Sequence, residues 1–191
     1  RDLHSFPTRR SSDLIKVDKE NNSITLGNVG FELYSEETGK LVGTYYTDAN
    51  GKIEIKNLRT GNYKLKEIST NEWYNLAEDQ NLQIKWDETI KTQVKDELKK
   101  GQIKVIKVDK ENHEIKIPNV VFEVQDSNGN VLEKITTDEN GEALTSKYPL
   151  RDYPSLRLHE IETDEKYALE NEIKEITLEE NQIKDVQIEN E

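Results

Sequence analysis

Three polar residues in each half of this chain fall in phase with apolar stripes. In a β-strand, side chains of equal parity share a face. Tyr63, Leu65 and Glu67 are related in this way, with Lys64 and Lys66 opposite; so are Leu156, Leu158 and Glu160, with Arg157 and His159 opposite. Val94 leads in phase to Asp96, and Val186 and Ile188 lead to Asn190. Leu14 leads to Lys16, and Ile103 and Val105 lead to Lys107. The phase of Lys107 has a rival, because Ile106 and Val108 make the other face apolar and would turn Lys104 inward instead. An isolated buried charge costs several kcal/mol, so such groups neutralise or find partners. Burial lowers the pKa of a lysine, which leaves a nucleophilic amine. It raises that of a glutamate, which leaves an acid able to hydrogen-bond and carry protons. Lysine, glutamate and Asn/Asp would meet if the first and last strands of each half paired.

The elements that must position them occur twice. Ile15-Lys16-Val17-Asp18-Lys19-Glu20-Asn21 returns about 91 positions later as Ile106-Lys107-Val108-Asp109-Lys110-Glu111-Asn112. Asn28-Val29-Gly30-Phe31-Glu32 returns as Asn119-Val120-Val121-Phe122-Glu123, and Lys66-Glu67-Ile68 with Tyr74 as His159-Glu160-Ile161 with Tyr167. A unit of this length is a small domain rather than a solenoid repeat. Short alternating segments separated by turn signals indicate an all-β chain of two tandem antiparallel β-sandwiches. Asn50-Gly51 and Asn140-Gly141 mark tight hairpins, and Glu37-Thr38-Gly39-Lys40 and Ser127-Asn128-Gly129-Asn130 mark a second hairpin in each copy. The domains are expected at 15–98 and 99–191, with Leu98-Lys99-Lys100-Gly101 as a short joint of limited freedom.

Residues 1–14 stand apart. They hold three of the six arginines, show no alternation and have no counterpart before the second copy. The segment resembles a translated sequencing-adapter tail, and it is expected to be non-native. Methionine is absent even at position 1, and the chain is therefore expected to be a fragment of a longer reading frame.

Composition excludes several classes. Hydrophobic residues make up 32% and charged residues 35%, which implies thin cores that benefit from a covalent staple. There is no cysteine, so that staple is not a disulfide, and thiolate metal sites are excluded. A net charge of −12 argues against nucleic acid and anionic membrane surfaces as partners. No apolar run approaches membrane-spanning length, so no membrane insertion is expected. His4, His113 and His159 lack metal-ligand spacing, and the acidic pairs Asp138/Glu139 and Glu179/Glu180 lack calcium-loop order. No cofactor and no metal are expected. Trp73 and Trp86 could stack on a sugar, but partly buried packing near loop ends is the favoured role. With no nucleophile–His–Asp set and no phosphate loop, turnover of an external substrate is not expected.

The pattern Lys-Val-Asp, then Tyr-x-Leu-x-Glu, then a terminal Val-x-(Asn/Asp)-Glu resembles the Cna B-type and SpaA-type prealbumin-like repeats of Gram-positive surface adhesins and pilins. The resemblance covers 15–191 and departs at three points: Asp96 replaces the commoner Asn, Leu156 replaces the usual Tyr, and Tyr148-Pro149-Leu150-Arg151-Asp152-Tyr153-Pro154 adds residues before it. It implies that a lysine amine attacks the Asn or Asp side chain, assisted by the glutamate, to form an intramolecular isopeptide bond. Lys16 would join Asp96 with Glu67 assisting, and Lys107 would join Asn190 with Glu160 assisting.

Taken singly, each residue has a plainer role: Lys107 as a strand lysine, the glutamates as edge residues, Asp96 as part of the charged joint. Six matched positions in two copies favour the triads. The implied protein is a self-stapled, monomeric tandem stalk or adhesin module, secreted and held at the cell wall. Any host matrix-protein or glycan partner would be bound by regions outside the fragment. A sortase-assembled pilin shaft subunit is one rival, although Lys147-Tyr148-Pro149-Leu150 is not a pilin motif. A glycan- or matrix-binding module without the cross-link is the other.

Overall fold

The computed structural model describes residues 11–86 and 88–191. Most of the segment set apart by composition lies outside the described residues, His4 included. The chain divides into two units, Arg1–Leu98 and Lys99–Glu191. Both are all-β sandwiches.

In the first unit, β1 (Ser11–Asp18), β4 (Lys52–Lys56) and β7 (Thr89–Asp96) form one sheet in the order β4-β1-β7. The facing sheet has the order β3-β2-β5-β6, from β2 (Gly30–Ser35), β3 (Leu41–Tyr46), β5 (Gly61–Ser69) and β6 (Gln80–Ile84). Alternation along β5 turns Tyr63, Leu65 and Glu67 into the core and leaves Asn62, Lys64 and Lys66 in solvent. Leu14, Phe31, Leu33, Ile55, Ile84 and Val94 fill the space between the sheets.

The second unit repeats this plan. Its β8 (Lys100–Asp109) pairs with β11 (Glu142–Leu144) and β12 (Tyr148–Pro149) on one side and with β15 (Ile183–Asn190) on the other. Opposite lies the sheet β10-β9-β13-β14, from β9 (Val121–Gln125), β10 (Val131–Thr136), β13 (Ser155–Glu162) and β14 (Lys174–Thr177). The two short strands β11 and β12 stand where the first unit has the single strand β4. The chain leaves β8 at Thr145, whose hydroxyl accepts the Ile103 N–H at 3.0 Å.

Several repeated residues owe their places to backbone geometry. Asn28 and Asn119 have φ of 59° and 61°, a region that asparagine tolerates better than most residues. Asp18 Oδ1 accepts the N–H groups of Glu20 and Asn21, and Asp109 Oδ1 those of Glu111 and Asn112. Tyr74 Oη donates to Asp18 Oδ2 at 2.8 Å. Gly51 and Gly141 sit at φ of 72° and 69°, where a Cβ would lie 2.6 Å from the carbonyl oxygen of Lys16 or Lys107.

The turns at Gly39 and Gly129 close hairpins, β2–β3 and β9–β10. Those at Asn50-Gly51 and Asn140-Gly141 do not. Each carries the chain from a strand of one sheet to a strand of the other, β3 to β4 and β10 to β11. The turn chemistry is local and does not record whether the flanking strands stay in register.

A second difference concerns residues 11–14, which composition assigned to the tail. They form the first half of β1, and Leu14 is core. Backbone pairing needs only extended geometry and tolerates a poor side chain. Ser12 is such a side chain: it is 1% exposed and its hydroxyl has no hydrogen-bond partner. Ile103 fills the equivalent place in β8.

Candidate cross-linking site in each sandwich

The two sheets meet over a polar cluster that the sequence pattern placed in an apolar interior. β1 and β7 run parallel over the whole of β1, with Lys16 opposite Val94 and Asp18 opposite Asp96. β8 and β15 run parallel in the same register, with Lys107 opposite Ile188 and Asp109 opposite Asn190. A lysine stem is long enough to lean two residues along the strand to the Asp or Asn on the same face. Glu67 comes from the opposite sheet, where β5 pairs it with Phe31, and Glu160 is likewise paired with Phe122.

Both lysines are completely buried, and the four acid and amide partners are buried with them. In the second sandwich Lys107 Nζ lies 2.7 Å from Glu160 Oε2 and donates to Asn190 Oδ1. Asn190 Nδ2 in turn donates to Glu160 Oε1 at 2.7 Å and to Thr163 Oγ1 at 3.0 Å. One carboxyl group therefore touches both the amine and the amide nitrogen. In the first sandwich Lys16 Nζ donates to Glu67 Oε2 at 2.7 Å and to Asp96 Oδ1, while Thr70 Oγ1 donates to Asp96 Oδ2 at 2.6 Å. The ring centroids of Phe31 and Phe122 lie 5.9 and 5.8 Å from the respective Nζ atoms. They help seal the amines from water.

Lys104 is not part of the cluster. It is partly exposed and pairs with Glu142 and Asp185 at 3.5 and 3.6 Å. The rival phase arose because Val108 is also fully buried. The chain after β8 folds back over that face, bridging Val108 to Lys116, as Thr25 bridges Val17 in the first unit. Above this point the strand is covered on both faces, and parity alone does not tell inside from outside.

The backbone of each lysine is also held. Lys16 N donates to Gly51 O at 2.7 Å and Lys107 N to Gly141 O at 2.8 Å, while their carbonyls accept from Leu26 and Ile117. Burial away from water pushes the Lys107 amine below its ordinary pKa, against the opposing pull of Glu160. Desolvation pushes the Glu67 carboxyl up to about 7; Lys16 opposes the shift and Asp96 adds to it. Glu67 Oε1 has no hydrogen-bond donor, although it is buried. Its counterpart, Glu160 Oε1, takes an N–H from Asn190, and Asp96 offers an oxygen where Asn190 offers that N–H. A proton held between Glu67 and Asp96 would restore the missing bond.

All six residues singled out from the sequence lie in these two clusters. Thr70 and Thr163 were not anticipated, although each stands three residues after the glutamate in its copy, a coincidence visible in the repeat. Of the other residues considered, His113 is exposed beside Glu189 at 3.0 Å, and His159 is half-buried on β13. No group of three or more potential metal-ligating side chains occurs among the described residues. Trp86 is 66% exposed and Trp73 37%, so neither is the partly buried side chain expected. The Trp86 segment follows the end of β6, beyond the stretch that core alternation controls.

The SpaA prealbumin-like fold domain model matches residues 10–98 and again residues 101–191. Among solved structures, the Bacillus anthracis TIE protein is 28% identical over 96% of this chain, with a TM-score of 0.68. The chain spans 34% of that protein's length. A streptococcal ancillary pilin is 21% identical over 97% of this chain and 63% of its own, with a TM-score of 0.46. The major pilin subunit BcpA of Bacillus cereus is 15% identical over 95% of this chain and 99% of its own, with a TM-score of 0.42. No curated protein matches the sequence. The chain belongs to the SpaA prealbumin-like fold domain family, which it contains twice in tandem.

Proposed function

We propose that each sandwich staples itself through an isopeptide bond, Lys16 to Asp96 and Lys107 to Asn190, and that the chain is a tension-carrying module of a Gram-positive cell-wall surface protein. One observation carries this reading: a single buried carboxyl group bridges the amine and the amide nitrogen in the second sandwich. Burial, which lowers the Lys107 pKa, eases transfer of a proton from Lys107 to Glu160 and so yields a nucleophilic amine. The amine attacks Asn190 Cγ and a C–N bond forms. Glu160 takes the surplus proton from the amine on one oxygen and delivers a proton to Nδ2 from the other. The Cγ–Nδ2 bond then breaks and ammonia departs. In the first sandwich the leaving group is water from Asp96. Each site reacts once on its own chain, so the process is self-processing rather than turnover, and rigid placement supplies the effective concentration.

Family membership and the lack of cysteine support placement at the cell surface, where a thiol-independent staple needs no oxidant. Intact-mass spectrometry of the purified chain tests the reading. Loss of about 17 Da for the Lys107–Asn190 bond and about 18 Da for the Lys16–Asp96 bond is expected, since one ammonia and one water leave. Glu160→Gln abolishes the first loss and Glu67→Gln the second. An unshifted mass for the unaltered chain would sink the proposal.

A further inference from the structure

The strand carrying each glutamate ends two residues later, at Ser69 in β5 and Glu162 in β13. The next residue is a half-buried threonine in both copies, Thr70 and Thr163. Each turns its hydroxyl onto the Asp or Asn side chain, at the atom facing away from the lysine contact. Thr70 Oγ1 donates to Asp96 Oδ2 at 2.6 Å, and Thr163 Oγ1 accepts from Asn190 Nδ2 at 3.0 Å. We propose that Thr70 and Thr163 are positioning residues for bond formation, holding the acyl group by the atom that must leave; this rests on the cross-linking reading above.

The geometry gives the hydroxyl two tasks. A planar amide or carboxyl turns about its Cβ–Cγ bond, and only a narrow range of angles presents Cγ to the amine. Glutamate and lysine grip one edge of the group. The threonine grips the leaving atom from another direction and fixes the plane, which is the kind of constraint that raises effective concentration. The second task is tolerance of either electrophile. A hydroxyl donates or accepts by rotating its hydrogen. It therefore accepts from the Asn190 amide and donates to the Asp96 carboxylate with no change in the residue. Valine has the same shape and could do neither. In the second sandwich the hydroxyl also remains an acceptor for the N–H groups of the departing ammonia. In the first it draws negative charge from the oxygen that leaves as water.

The test uses the full two-domain chain with Thr163→Val and Thr163→Ser, following cross-linking by intact mass from isolation onward. The first sandwich, left unaltered, is the internal reference. The Thr163→Val chain is expected to be isolated with the second bond incomplete, and to complete it with a rate constant at least about tenfold below that of the unaltered chain. Thr163→Ser restores the rate to within about threefold, because it keeps the hydroxyl. Melting of the uncross-linked Thr163→Val fraction at the temperature of Asn190→Ala separates positioning from a folding defect, and Thr70→Val repeats the test on the Asp electrophile. Completion of the bond in Thr163→Val at the unaltered rate overturns the inference and leaves the cross-link standing. So does equal slowing in Thr163→Ser. Failure of the unaltered chain to lose ammonia overturns the cross-linking reading itself.

Discussion

Asn190→Ala isolates the contribution of the proposed bond to stability. The substitution removes the electrophile but leaves Lys107 and Glu160 paired, so neither is left without its partner. The bond would close a loop between residues 83 positions apart. In the chain-entropy model such a loop restrains the unfolded state by about 4.5 kcal/mol. Loss of the amide hydrogen bonds adds about 1–2 kcal/mol. A domain of this size has a melting entropy of roughly 0.2 kcal/mol/K, so the second sandwich should melt about 30 °C lower. Differential scanning calorimetry of the full chain reads this directly, because the transition of the first sandwich serves as an unmoved reference. Intact mass confirms which bonds are present in each sample. A drop under about 5 °C, with the bond shown by mass in the unaltered chain and absent in the variant, would refute the loop-entropy argument.

Two further outcomes follow. Ser12→Ile in the first sandwich replaces an orphaned hydroxyl with the side chain that β8 carries at the same place, and should stabilise by about 2 kcal/mol, or about 10 °C in calorimetry; an unchanged or lowered transition would show that Ser12 fits its site. Bond formation in the first sandwich should slow as pH rises through about 7, because the reactive state needs the proton that Glu67 then loses. Refolding the freshly translated chain from urea at a series of pH values, with timed mass measurements, checks this; a first-sandwich rate that stays level through about pH 7 would contradict it.

The glutamates were legible because β5 and β13 keep one face wet and one face dry, so Lys64 and Lys66 stand opposite Tyr63 and Leu65. The lysines were harder, since β8 is covered on both faces at Val108 and the alternation of Lys104, Ile106 and Val108 imitates a core stripe. What separates Lys107 from Lys104 is the partner strand: parallel pairing with β15 brings Asn190 to the side on which Lys107 projects. Pairing direction is a long-range property that no local window contains. Thr70 and Thr163 lie just past their strand ends, where parity stops assigning faces, so only their recurrence in both copies could have singled them out. At Ser12 the strand exists although its side chain is wrong for it, which is why a boundary drawn from composition fell inside β1.

The parallel pairing also decides what the proposed bonds would do under tension. In a parallel pair the chain enters at one end of the sheet and leaves at the other, so force applied to the ends shears the two strands past each other. Lys16 lies in the second half of β1, and Asp96 is the last residue of β7. With these two joined, the load runs up β1 to Lys16, crosses the side-chain bond and leaves at once through Glu97. None of β2 to β6 lies on that path. Only the short stretch from Ser11 to Lys16 remains free to peel, and the other sandwich has the same arrangement, with Asn190 ending β15. Placing the electrophile earlier in the last strand would leave a longer segment to extend, and placing the lysine at the start of the first strand would leave less. The observed position answers a second demand as well. At that depth the amine is beyond the reach of water and lies 5.9 or 5.8 Å from the centroid of the Phe31 or Phe122 ring. The chemistry requires burial and the mechanics require the end of the last strand. A register that sets Asp18 beside Asp96, and Asp109 beside Asn190, meets both requirements.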